Sequence, residues 1–96
     1  MIKIREVFTA KAGMASKLAK LMKEEMVDMP GKVTVMTDMV GNYNTVVVEY
    51  EMKSMTEFDK MMQEYGKNQK PKDKKKMAGY ADMYLTGRRE IYRIWD

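Results

Sequence analysis

A chain of 96 residues with 45% hydrophobic and 33% charged residues has the length and composition of one soluble globular domain rather than of a disordered or fibrous protein. It has no cysteine and no histidine, which removes disulfides, thiolate zinc sites, a cysteine nucleophile, and the commonest general base and haem ligand. The net charge of +4 is local: Lys70-Pro71-Lys72-Asp73-Lys74-Lys75-Lys76 carries five lysines and one aspartate, and the other 13 basic and 13 acidic residues cancel. Such a lysine run is a solvated segment that offers weak, salt-sensitive attraction to anions, so no specific nucleic-acid partner is expected. The apolar runs fall far short of the roughly 20 residues a membrane span needs. Lys3, Arg5 and Glu6 interrupt the apolar stretch that a signal peptide would require. The expected location is the cytoplasm, with no membrane partner.

Ile2 to Thr9 reads as a strand with Ile2, Ile4 and Phe8 on one face, interrupted by Glu6. After the connector Ala10–Gly13, Met14, Leu18, Leu21, Met22 and Met26 recur at helical spacing, and Pro30-Gly31 stops that helix. Lys32 to Val40 is a second strand, with Val33, Val35, Thr37 and Met39 on one face. Gly41-Asn42 signals a hairpin, because glycine accepts the positive φ of a primed turn. Tyr43 to Met52 is a third strand: Val46, Val48, Tyr50 and Met52 form one face, Thr45, Val47, Glu49 and Glu51 the other. Ser54-Met55-Thr56-Glu57 is a capping-box pattern, followed by a helical stripe of Met55, Phe58, Met61, Met62 and Tyr65 that ends at Gly66. Pro71 suits the first turn of a short helix carrying Met77, Tyr80 and Ala81. Met83 to Trp95 is the last strand, with Tyr84, Glu90, Tyr92 and Ile94 against Leu85, Ile91, Arg93 and Trp95.

The order is β-α-β-β-α-β over a single domain, 1–96. It predicts the α+β, ferredoxin-like fold, an antiparallel sheet with both helices on one face. Many functions share that fold, so the residues must discriminate among them. An RNA-recognition domain needs glycines and paired aromatics on its third strand, and Asn44–Glu51 has neither. A regulatory amino-acid-binding domain would have a Gly-rich first loop, for which Lys11-Ala12-Gly13 is a weak match.

A first strand running into Phe8-Thr9-Ala10-Lys11-Ala12-Gly13-Met14 and then an amphipathic helix resembles the start of dimeric α+β barrel proteins. Their NIPSNAP-like and antibiotic-biosynthesis-monooxygenase-like members open that helix with a Lys-x-Gly-type turn. Gly87-Arg88-Arg89-Glu90-Ile91-Tyr92-Arg93-Ile94 is similar to the last strand of NIPSNAP-like members. The resemblance covers nearly the whole chain. It implies a homodimer joined through the sheet faces, with a pocket between sheet and helices in each subunit. The residues point the same way: with helices on one face only, the other would expose Val47, Ile91 and Trp95, which a twofold partner would cover.

Haem and metal chemistry of the superfamily depends on histidine, which is missing; Asn42, Asn44 and Trp95 do not replace it. No metal or cofactor is therefore expected. An enzyme, if this is one, would be a cofactor-independent oxygenase, as the resemblance implies. Glu49, Glu51 and Asp38 could form an acid–base group, against the simpler reading of ion pairs with Arg5, Arg89 or Arg93. Of the 13 methionines, Met14, Met22, Met26, Met55 and Met62 fall on the same stripes as Leu18, Leu21 and Phe58, which makes them core-fillers and not a copper site. Phe8, Tyr50, Phe58, Met62, Tyr65, Tyr80 and Tyr84 are the candidate ligand-binding residues. They converge between the sheet and the later helical segments, and tyrosine brings both an apolar ring and a hydroxyl. The expected function is binding of a small apolar or aromatic molecule; a structural or interaction domain is the third alternative.

Overall fold

The computed structural model describes residues 1–27, 29, 31–68 and 79–95, and of 65–68 only the backbone. The lysine run 70–76, Pro30, and the helix expected from Pro71 through Met77 lie outside the described residues, as does the side chain of Tyr65. The elements are β1 (Ile2–Ala10), α1 (Ala15–Glu25), β2 (Val33–Thr37), β3 (Thr45–Met52), α2 (Met55–Asn68), a single 3₁₀ turn (Tyr80–Asp82) and β4 (Tyr84–Arg93). All strand pairings are antiparallel and the sheet order is β2-β3-β1-β4, the ferredoxin-like arrangement that the element order predicts. Among the described residues, no helix is long and apolar enough to cross a membrane.

The register gives the two faces as rows. On the helical side Val35, Val48, Glu6 and Arg89 lie side by side across β2, β3, β1 and β4, flanked by the rows Val33-Tyr50-Ile4-Ile91 and Thr37-Val46-Phe8-Gly87. On the outer side the rows are Met36-Val47-Val7-Arg88 and Thr34-Glu49-Arg5-Glu90. The core is the helical side: Ile4, Leu18, Val46 and Val48 are fully buried, with Phe8, Met22, Tyr50, Met52 and Phe58 around them. Burying each such side chain stabilises by roughly 1.5–3 kcal/mol.

Helix α1 buries Leu18 and Met22 as its spacing predicts, with Met14, Ala19 and Met26 packed beside them. It ends at Glu25, before Pro30, where the Met26 amide donates the last helical bond to Met22. Helix α2 starts as its capping box predicts: Ser54 Oγ accepts from the Glu57 amide at 3.2 Å. The Glu57 carboxylate reaches back one residue further than expected, to the Lys53 amide at 3.1 Å. Among the described side chains of its stripe, Phe58 alone is fully packed; Met61 is half-buried, and Met55 and Met62 are exposed.

Two local expectations fail. The hairpin does not turn at Gly41: the strands stop at Thr37 and Thr45, and positive φ falls on Tyr43 (66°) and Asn44 (56°). Asp38 closes this longer loop, its Oδ1 accepting from the Thr45 amide at 2.9 Å and its own amide donating to the Thr45 carbonyl. It therefore does not join Glu49 and Glu51, and Met39, expected on the strand, is 99% exposed in the loop. Second, β4 does not keep one alternation. Thr9 pairs with Thr86 but Ala10 pairs with Tyr84, so Leu85 is an extra residue. This bulge reverses the parity of the strand. Tyr84 comes to the helical side together with Gly87, Arg89 and Ile91. Ile91 is thus opposite Ile4 in the core and not on the outer face with Val47, and Trp95 lies beyond the strand, 86% exposed.

Candidate functional site

The bulge at Leu85 and the turn at Tyr80–Asp82 bring three rings together at one end of β1. Phe8 and Tyr84 have centroids 5.1 Å apart, Tyr80 and Tyr84 5.1 Å, and Phe8 and Tyr80 5.8 Å, the last pair edge to face. These separations and tilts are those at which aromatic rings attract one another. The Met83 carbonyl accepts from the Lys11 amide at 2.9 Å and ties the turn to the end of β1. The rings border an open cleft of about 230 Å³, whose lining also includes Glu6, Gly87, Arg88 and Arg89. Gly87 sits opposite Phe8 in the register. A Cβ there would stand 3.0 and 3.1 Å from the Phe8 ring carbons, so the ring occupies the place of the missing side chain.

The polar end of the cleft is an ion pair inside the otherwise apolar helical face. Glu6 interrupts the apolar alternation of β1, and the register sets it directly beside Arg89 of β4. Nε and Nη2 of Arg89 donate to the same carboxylate oxygen, Oε1, at 2.8 and 2.6 Å. The Glu6 side chain is 14% exposed and that of Arg89 41%. The guanidinium also lies over the Phe58 ring, 5.3 Å from its centroid, a cation–π contact that holds its other surroundings in place. Burial pushes the Tyr50 hydroxyl well above the ordinary tyrosine range, with the Glu6 charge adding to it and Arg89 opposing it. Tyr80 moves the same way, from burial first and then from Tyr84 and Glu6. Both hydroxyls stay protonated at neutral pH.

Of the residues singled out from sequence, Phe8, Tyr80 and Tyr84 border the cleft together. Tyr50 and Phe58 lie in the core beneath the same face, and Met62 is exposed on α2, away from the lining. Glu6, Gly87, Arg88 and Arg89 were not singled out as ligand-binding. Glu6 left a signal, a charge at a position whose neighbours two residues away are apolar. Arg89 left none without the strand register. The carboxylates of β3 make outer-face ion pairs, as the simpler reading expects. Arg5 Nε is 2.9 Å from Glu49 and Arg5 Nη1 3.5 Å from Glu90, with Lys3 near Glu49 and Glu51. Arg88 donates to Glu90 at 3.1 Å, which, as the leading cause, holds the Glu90 carboxyl below its usual range. Arg89, offered as a partner for these carboxylates, belongs to the opposite face.

The molecule superposes on a NIPSNAP domain protein from Burkholderia xenovorans with a TM-score of 0.81, at 10% identity and over 99% of this chain and 95% of that one. A NIPSNAP family protein from Agrobacterium tumefaciens gives 0.81 at 12% identity, over 99% and 93%. An antibiotic-biosynthesis-monooxygenase-like protein from Deinococcus radiodurans gives 0.67 at 10% identity, over 100% and 94%. The fold is that of the NIPSNAP and antibiotic-biosynthesis-monooxygenase-like proteins. No family profile and no curated protein matches the chain at the level of sequence. At these identities the NIPSNAP-like fold is shared, while the cleft residues are this chain's own to interpret.

Proposed function

We propose that the chain is a homodimeric small-molecule-binding protein that takes a small apolar or aromatic ligand in the cleft beside Phe8, Tyr80 and Tyr84, without a cofactor. The observation that carries this reading is the ring triad facing an open concavity, with Gly87 leaving room for the Phe8 ring at its edge. A volume of about 230 Å³ exceeds the ~150 Å³ known to admit benzene and lies below the range for drug-sized ligands, which suits one or two rings. The test is a thermal-shift screen of one- and two-ring aromatic compounds. A ligand at a hundredfold excess over its Kd stabilises by roughly 2.7 kcal/mol. Stabilising compounds whose effect weakens in Tyr80→Phe and disappears in Tyr84→Ala support the proposal. No stabilising compound at millimolar concentration would leave an interaction domain as the better reading. A second reading, cofactor-independent oxygenation, draws on the likeness to the Deinococcus radiodurans protein. It requires that a bound aromatic compound consume oxygen in the presence of the protein alone.

A further inference from the structure

We infer that the Glu6–Arg89 pair makes the cleft select an uncharged ring bearing a hydrogen-bond donor, against carboxylate and ammonium ligands of the same shape. The inference rests on the binding reading above. Arg89 gives two of its donors to one oxygen of Glu6, and among the described residues no hydrogen bond reaches the other oxygen, Oε2. That oxygen is a charge-assisted acceptor left free on a residue that borders the aromatic cleft. The pair as a whole is neutral. The third charged residue of the lining, Arg88, has its charge engaged by Glu90 on the outer face. Tyr80 and Tyr84 complete the polar groups of the lining. A ligand carboxylate would be brought against the Glu6 carboxylate, and a ligand ammonium reaching Oε2 would stand beside the Arg89 guanidinium that shares the same carboxylate. Either would surrender the hydration of a full charge to a pair whose net charge is zero. A neutral O–H or N–H loses little on desolvation and finds Oε2 waiting. Glu6 and Arg89 are thus specificity-determining residues, with Phe58 fixing Arg89 in position.

The experiment measures affinities of naphthol, naphthoate and naphthylmethylammonium by calorimetry at neutral pH. It uses the full chain, Glu6→Gln, Arg89→Gln and the double variant, each checked for folding by circular dichroism. The unaltered protein should prefer naphthol by roughly tenfold, the worth of one charge-assisted hydrogen bond. Glu6→Gln leaves Arg89 uncompensated and should shift the preference to naphthoate. Arg89→Gln should shift it to the ammonium compound. The double variant is neutral again and should return to naphthol, which keeps the test open if one single variant unfolds. Binding of naphthol with an order of preference that neither charge change alters would overturn this inference and leave the binding reading intact. No binding of any of the three to the unaltered protein would overturn both.

Discussion

Gly87 sets the shape of the cleft, because the Phe8 ring lies where its side chain would be. Gly87→Ala should force that ring aside, lower stability by roughly 1–3 kcal/mol as overpacking does, and abolish the thermal shift given by aromatic compounds. Denaturant unfolding and the ligand screen read the two effects separately; an unchanged ligand response would place the ligand elsewhere. Tyr50 and Tyr80 make a prediction about pH. Their hydroxyls are raised in the folded state, mainly by burial, while an unfolded chain ionises tyrosine near its ordinary value of 10.0. Above that value the unfolded state has released protons that the folded state still holds, so stability falls as pH rises. The stability these groups supply is fully present below pH 10.0 and is lost progressively above it. Urea midpoints measured across this alkaline range should fall with pH, and Tyr50→Phe should make the fall shallower. Equal slopes for the two proteins would show that Tyr50 is not the group responsible.

At the scale of elements, the start of α2 is a matter of local chemistry. Ser54 supplies the acceptor for the Glu57 amide, and Ser54→Ala should cost about 1 kcal/mol in chemical denaturation. Ser54→Asn, which can cap equally well, should restore it. The loop 38–44 is governed by backbone conformation instead. Tyr43 is 82% exposed and held at a φ of 66°, a left-handed conformation costly for residues with a Cβ. Tyr43→Gly should therefore raise stability, by up to about 1 kcal/mol, with no change in ligand binding. A loss of stability would mean that the Tyr43 ring makes contacts that outweigh the strain. The bulge at Leu85 is the element feature with most consequence for the site, since it alone turns Tyr84 toward Phe8.

For the whole molecule, the outer face of the sheet is the open question. It presents Met36 and Val47 in one row with the buried Val7, and a charge-balanced network of Lys3, Arg5, Arg88, Glu49, Glu51 and Glu90 beside it. Arg5 Nε and Glu90 Oε1 on this face are shielded from water without a well-aligned hydrogen bond. An apolar row flanked by equal numbers of both charges can complement a copy of itself across a twofold axis. Light scattering at micromolar concentration should give about twice the 11.3 kDa of one chain. Val47→Glu, which places a charge in the middle of the apolar row, should shift the population toward the monomer and lower stability with it. A folded monomer across that concentration range would dismiss the homodimer.

Periodicity and punctuation along the chain were enough for the architecture. The even face of β3, the Leu18–Met22 stripe of α1 and the Ser54–Glu57 start of α2 are local patterns, dictated by the pitch of strand and helix and by the orphan amides of a helix end. The ferredoxin-like order follows from them. Part of the site was legible for the same reason: Phe8 lies on a strand face that alternation assigns and borders the cleft, while Tyr50 and Phe58, assigned by the same periodicities, went to the core beneath it. The rest depended on register. Tyr84 reaches the cleft through one extra residue in β4, and Glu6 finds Arg89 across 83 positions of sequence. No local pattern encodes such pairings, because strand partners are chosen by the packing of the whole sheet. The same bulge moved Ile91 into the core and left Leu85 exposed. Helix and strand periods belong to the chain alone; the ion pair, the ring triad and the cleft between them exist only once β1 and β4 have met.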